Sequence, residues 1–238
     1  MSENQITGKN SILEALKSGT PVNRIYIRDT LKFDETIRKI TRLAKENGVP
    51  FDVVNSSRLK SVSKNARDII ATISPVNYFE LEEVLGQIEE NAIFIILDQI
   101  TDPYNLGAVI RSAECFGADA VIISKRSSCP ITSVVTKASA GAILHVPIVR
   151  VTNISNSIDT LKKHGFWIYG TSPDAYDSVV GYGFAKRTGI VIGSEGKGMR
   201  DSVTKHCDVL LKIPMHGSLN SLNASVSSGI LLYEITRG

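Results

Sequence analysis

The segment Ile93–Ser124, IFIILDQITDPYNLGAVIRSAECFGADAVIIS, decides the fold. Its ends, Ile93–Asp98 and Ala120–Ser124, are short apolar runs, each closed by one polar residue, with the length and β-branched content of strands buried on both faces. Between them, Asp102 and Pro103 break the chain, and Asn105 opens a helix that runs to Phe116. Strand, helix and strand of this kind form a parallel crossover unit.

The alternation continues to the end of the chain. A helix is expected over Thr132–Ala140, a strand over Val146–Arg150, a helix over Ile154–His164 and strands over Phe166–Thr171 and Gly189–Gly193. A helix over Arg200–His206, a strand over Val209–Ile213 and a last helix over Leu222–Thr236 follow. The expected fold class is therefore α/β, a mainly parallel sheet with helices on both faces. Ligands of such sheets bind where loops leave the C-terminal ends of strands. The lone Trp167, in an apolar run, is expected in the core.

Upstream, helices over Ser11–Lys17, Asp34–Glu46 and Ser57–Asn65 alternate with strands over Arg24–Ile27, Phe51–Val54 and Ile69–Val76. Ile37, Ile40, Leu43 and Ala44 form one apolar stripe on the second helix. The charge changes sign after this unit. Residues 1–78 carry 13 Lys/Arg against 8 Asp/Glu, whereas residues 79–238 carry 14 against 16. Expected boundaries are thus a basic unit at 1–78, a linker region at 79–91 and a second domain at 92–238. A basic field concentrated in one unit suits a polyanion, and solvated helix faces give the same sum.

The 238 residues, 42% hydrophobic and 21% charged, exclude disordered and collagen-like classes. No apolar run reaches the roughly 18 residues of a membrane span, and Met1–Asn10 has no signal-peptide core, so a cytoplasmic protein without a membrane partner is expected. Cys115, Cys129 and Cys207 are odd in number and unpaired in spacing, which fits a reducing compartment. Gly193–Gly198 reads G-x-x-G-x-G, neither a dinucleotide fingerprint nor a P-loop. His145, His164, His206 and His216 lack metal-ligand spacing, so no metal is expected. There is no G-x-S-x-G elbow. His206 and Cys207 are adjacent, so their side chains diverge, and a helix end is expected there rather than a nucleophile and its base.

Three segments remain after strands. In Asp98–Ala113, small residues Gly107 and Ala108 permit close backbone approach. Arg111 lies six residues beyond Asn105, so the two address one cavity only if the turn folds back or a partner chain completes it. An N-cap Asn with a surface Arg is the plain alternative. Ile190–Met199 places three glycines around Glu195, where a flat ligand can lie on backbone amides. Leu211–Ile235 runs from a strand through Pro214 and a Ser/Asn-rich turn into a helix whose small face, Ala224, Ser225 and Ser228, suits close packing against another helix.

In N-L-G-A-V-I-R-S-A, I-G-S-E-G-K-G-M and I-P-M-H-G-S-L-N-S-L-N-A-S, the chain resembles the three motifs of the SpoU (TrmH-type) ribose 2′-O-methyltransferases of the SPOUT superfamily, from about Ile93 onward. The N-terminal unit, beginning G-K-N-S-I-L-E-A-L, resembles the ribosomal-protein-L30e-like RNA-binding domain often joined to them. Where relatives show H-Q-G before its last strand, this chain has Ala66-Arg67-Asp68.

The resemblance implies a C-terminal trefoil knot, a homodimer through the catalytic domain, and S-adenosylmethionine as cofactor. Its adenine is expected against main-chain groups of Gly193, Ile213 and Leu222. Asn105, Arg111, Glu195, Ser221 and Asn223 are expected in the catalytic pocket. The implied activity is methylation of an RNA ribose, most like the bacterial enzymes acting on a guanosine of large-subunit (23S) rRNA. A tRNA substrate, or a non-catalytic RNA-binding role in ribosome assembly, stays open on the residues alone.

Overall fold

A computed structural model describes residues 5–63, 67–218 and 221–237. Lys64, Asn65 and Ala66, expected to end a helix and open the Ala66-Arg67-Asp68 stretch, lie outside the described residues, as do Leu219 and Asn220 of the third motif. The chain divides into two compact units, Met1–Asn77 with Pro130–Ser133, and Tyr78–Cys129 with Val134–Gly238.

The first unit is built from β1 (Gln5–Thr7), α1 (Lys9–Lys17), β2 (Val22–Arg28), α2 (Glu35–Glu46), β3 (Phe51–Val54), α3 (Ser56–Val62) and β4 (Ile69–Ile73). Its sheet has the order β1-β4-β2-β3, with β2 parallel to β3 and β4 antiparallel to both β1 and β2. Asp34 caps α2 by accepting from the Ile37 N–H at 2.9 Å. The expected stripe then delivers Ile37, Ile40 and Ala44 into a core with Ile12, Leu16, Ile25, Ile27 and Ile69. Burial of each such isoleucine stabilises the unit by roughly 1.5–3 kcal/mol. Strand β1 has no counterpart in the sequence pattern. Three residues with two polar side chains show no alternation, and the strand exists because β4 offers it an edge.

The second unit follows with α4 (Leu81–Leu85), β5 (Ala92–Leu97), α5 (Pro103–Cys115), β6 (Ala120–Ser124), α6 (Ser133–Ala138), a 3-10 turn (Ala142–Leu144) and β7 (Ile148–Val151). Then come α7 (Ile154–Lys163), β8 (Trp167–Thr171), β9 (Asp177–Ser178), β10 (Arg187–Ile192), α8 (Asp201–Thr204), β11 (Val209–Lys212) and α9 (Ala224–Thr236). Seven strands lie in the order β7-β6-β5-β10-β8-β11-β9, and every pairing is parallel. Phe94, Ile96, Ile122 and Val191 meet Leu81, Val84, Ile158 and Leu161 on one face. The alternate residues Ile95, Leu97, Val121, Ile123 and Ile190 are buried as well, on a sheet that α5 touches at β6 and α9 at β10. Continuous apolar runs are the sequence image of this double burial.

Three expectations need correction. Trp167 is 49% exposed, because it is the first residue of β8 and stands at the rim of the sheet, ahead of the buried Ile168 and Tyr169. Residues 79–91, expected as a linker region, contain α4, whose Leu81, Val84 and Leu85 are buried in the core of the second unit. Strand β9, two polar residues beside β11, was not expected at all. Among the described residues no helix is long and apolar enough to cross a membrane.

Candidate functional site

Strands β8, β10 and β11 are neighbours and parallel, so their C-terminal ends open on one side of the sheet. A cavity of about 450 Å³ lies there, lined by Thr171 at the end of β8, Gly193–Met199 after β10, and Ile213, Ser221 and Leu222 after β11. That volume is within the usual range for small-molecule sites. The loop after β10 is folded on itself. Ser194 N–H donates to the Gly198 carbonyl at 3.1 Å, and Gly198 N–H returns a bond to Ser194 O at 2.9 Å. Gly196 and Gly198 take φ of 79° and 67°, values that glycine adopts without strain.

At the rim, Asp102 caps α5 by accepting from the Asn105 N–H at 2.8 Å, with Pro103 in the first turn. Asn105 then points across to the β10 loop. Its Nδ2 donates to Glu195 Oε1 at 3.0 Å, and its Oδ1 accepts from Asn223 Nδ2 at 2.9 Å. Glu195 Oε1 also accepts the Ala224 N–H at 3.3 Å, while Asn223 Oδ1 caps α9 through Ser225 N–H at 2.8 Å. One hydrogen-bonded chain thereby links the starts of α5 and α9 to the glycine loop.

Of the residues singled out in the sequence, Gly193, Ile213, Leu222, Glu195 and Ser221 line the cavity, and Asn105 and Asn223 join it through Glu195. Arg111 does not line it. It stands exposed on α5, and among the described residues no ion pair or hydrogen bond engages its guanidinium. Six residues along an α-helix are about 9 Å of rise and about 240° of rotation, which carries Arg111 to a different face from Asn105. Sequence reasoning missed Asp174 and Asp201, two further carboxylates lining the cavity, and Asp98, which is fully buried and bonded to Arg200. Each is unremarkable in its local sequence.

His206 and Cys207 form no nucleophilic pair. The imidazole Nδ1 lies 2.7 Å from the Asp159 carboxylate, and the thiol faces the Val203 carbonyl. Burial pushes the Cys207 thiol up to about 12 and the Cys129 thiol to about 11, whereas Cys115 is exposed. Alkylation of the folded protein at mildly alkaline pH is expected to modify Cys115 first and spare the other two, as peptide mapping will show. Equal labelling of Cys207 would contradict its placement. Among the described residues no group of three His, Cys, Asp or Glu is placed to hold a metal.

Residues 92–233 match the SpoU rRNA Methylase family, and residues 5–79 match the family described as RNA 2′-O ribose methyltransferase substrate binding. The chain therefore belongs to the SpoU rRNA methylase family and is an RNA methyltransferase; the methyl donor of that family is S-adenosylmethionine. An uncharacterized tRNA/rRNA methyltransferase of Synechocystis sp. is 42% identical over 235 residues, which are 97% of this chain and 61% of that protein, so the chain spans about three fifths of its length. A Staphylococcus saprophyticus protein, provisionally named a TrmH family tRNA/rRNA methyltransferase, is 40% identical over 241 residues, covering 100% of this chain and 96% of its own. Among solved structures, the SpoU methyltransferase AviRb from Streptomyces viridochromogenes, in complex with AdoMet, matches with a TM-score of 0.63 and 24% identity. The match covers 98% of this chain and 89% of AviRb, and it shows the shared fold.

Proposed function

We propose that the protein methylates the ribose 2′-hydroxyl of a guanosine in large-subunit (23S) rRNA, using S-adenosylmethionine bound in the cavity after β8, β10 and β11. The observation that carries this reading is the junction of that cavity with Asn105 through Glu195. The donor set suits such a cofactor. Three carboxylates, Asp174, Glu195 and Asp201, line the cavity against the single ammonium of Lys197, a balance that favours a ligand bearing sulfonium and ammonium charges.

When bound, the cofactor supplies an electrophilic methyl on a good leaving group. Main-chain groups of Gly193, Ile213 and Leu222, which line the cavity, would hold the adenine. Glu195 and Asn223 fix the Asn105 amide from both ends, leaving it one N–H and one lone pair with which to orient the ribose. Ser221, exposed at the cavity, adds a hydroxyl beside the nucleotide. Alignment of this kind is worth as much as about 7–11 kcal/mol of the barrier. Arg111 clamps the neighbouring phosphate and stabilises charge developing on the 2′-oxygen through its planar, delocalised cation.

Because Arg111 stands apart from the cavity of its own chain, a second copy supplies it in this reading. Exposed apolar residues support a homodimer through this region: Tyr104 on α5, Val226 and Tyr233 on α9, and Leu144 in the 3-10 turn that touches α5. The basic field of residues 1–78 suits RNA, and the free cysteines accord with a cytoplasmic setting. Labelled S-adenosylmethionine offered with separated rRNA and tRNA pools tests the substrate. Label is expected in large-subunit rRNA. Label only in tRNA moves the substrate to that class, and label in neither pool, with no cofactor heat in calorimetry, overturns the enzyme reading.

A further inference from the structure

Asp98 follows β5, and it meets both ends of the glycine loop. Its backbone N–H donates to the carbonyl of Ile192, the last residue of β10, at 2.9 Å. Its carboxylate accepts from Arg200, the residue after Met199, three times: Arg200 N–H at 2.8 Å, Nε at 2.9 Å and a terminal guanidinium nitrogen at 2.6 Å. Asp98 is fully buried, whereas the Arg200 side chain is 40% exposed. Arg200 also precedes α8, whose Asp201 and Thr204 line the cavity, and its carbonyl accepts from Val203 and Thr204. Immediately after the carboxylate, Gln99 holds a φ of 63°, a conformation that costs a non-glycine residue energy and persists only where neighbours enforce it.

From this geometry we propose that Asp98 and Arg200 are positioning residues for the cofactor: one ion pair, with its carboxylate buried, fixes the start and finish of loop 193–199, although neither residue lines the cavity. The inference rests on the reading of that cavity as the S-adenosylmethionine site. A buried carboxylate that loses its cation has strong reason to rearrange, since an uncompensated charge cannot stay dry. The rearrangement open to Asp98 is to draw water in at the base of the loop. That would loosen the frame holding Gly193 and Glu195, and it would do so without removing any atom from the cavity wall. The Ser194–Gly198 bonds keep the loop's own curl, so what the ion pair controls is where the curl sits relative to β5 and β8.

The test uses the full chain, with S-adenosylmethionine affinity by calorimetry, amide exchange at 194–198 and thermal stability measured for Arg200→Met, Arg200→Lys and Asp119→Asn. Asp119 is a reference remote from the loop, a partly buried carboxylate that accepts the Ile93 N–H at 2.7 Å on the opposite rim of the sheet. Arg200→Met is expected to weaken the cofactor about tenfold and to speed exchange across the loop, because small displacements of a binding frame have large effects. Arg200→Lys should fall between it and the native protein, keeping the charge but losing the paired donors. Asp119→Asn should lower the melting temperature and leave affinity within about twofold.

Native affinity and native loop exchange in a folded Arg200→Met chain would overturn the proposal, as would an equal loss in Asp119→Asn. Should Arg200→Met fail to fold, Arg200→Lys decides in the same way: weaker cofactor binding supports the proposal, and native binding overturns it. Absence of cofactor binding by the native protein would instead overturn the cavity reading itself, and the proposal with it.

Discussion

Gly193→Ala is expected to abolish measurable S-adenosylmethionine binding. A Cβ at this position would stand 2.2 Å from the Gly198 carbonyl carbon, 2.3 Å from the Met199 nitrogen and 2.5 Å from the Gly198 oxygen. All three are backbone atoms, so no rotamer change relieves the overlap. The loop must translate, and the Ser194–Gly198 bonds and the Glu195 contact to Asn105 move with it. Overpacking of this kind costs about 1–3 kcal/mol of stability. The loss of affinity is larger, about a hundredfold or more, because a displaced binding frame loses several contacts together. Gly196 and Gly198 are different cases. There a Cβ meets nothing within 4 Å, and the cost of alanine is the positive φ, about 1–2 kcal/mol each. Calorimetric titration of the three variants should separate steric from conformational need. Cofactor affinity in Gly193→Ala within a few-fold of native would mean that this loop does not form the binding wall.

The contrast between these glycines marks what was legible in the sequence. Runs such as Ala92–Leu97 and Ala120–Ser124 announce parallel strands, because burial on both faces removes every polar alternative. Strands that exist through their neighbours, β1 and β9, leave no pattern to read. The glycine-rich turn after β10 was visible as a backbone-lined site, but the reason for Gly193 was not, since it depends on a chain reversal that closes five residues later. The site's connections lie further from view. Asn105 and Glu195 are 90 residues apart and Asn105 and Asn223 are 118, and they meet because β5 and β10 are sheet neighbours and α5 lies against α9. Sheet order is a tertiary property, so local spacing assigned Asn105 a cap and Arg111 a surface position. Motif resemblance supplied what spacing did not, and it also grouped Arg111 with residues that the folded chain keeps apart.

That separation makes Arg111 the sharpest test of the catalytic reading. Arg111→Lys is expected to lower kcat by about 10²–10³-fold, the range seen when a donor to developing negative charge is lost. S-adenosylmethionine affinity should stay native, because Arg111 does not line the cavity. Lysine keeps the positive charge and most of the length, so the variant isolates the planar, two-pronged donor geometry of the guanidinium. Preserved turnover would show that charge alone suffices and would sink the phosphate-clamp role. The location adds a second arm. If Arg111 acts in the cavity of another copy, a chain carrying Arg111→Ala and a chain carrying Glu195→Gln are each inactive alone, yet a mixed dimer holds one site with both native residues. Mixing the two and allowing exchange should restore turnover. No recovery, with exchange verified by differently tagged chains, would place Arg111 and Glu195 in the same chain's chemistry and require α5 to turn toward its own cavity when RNA binds.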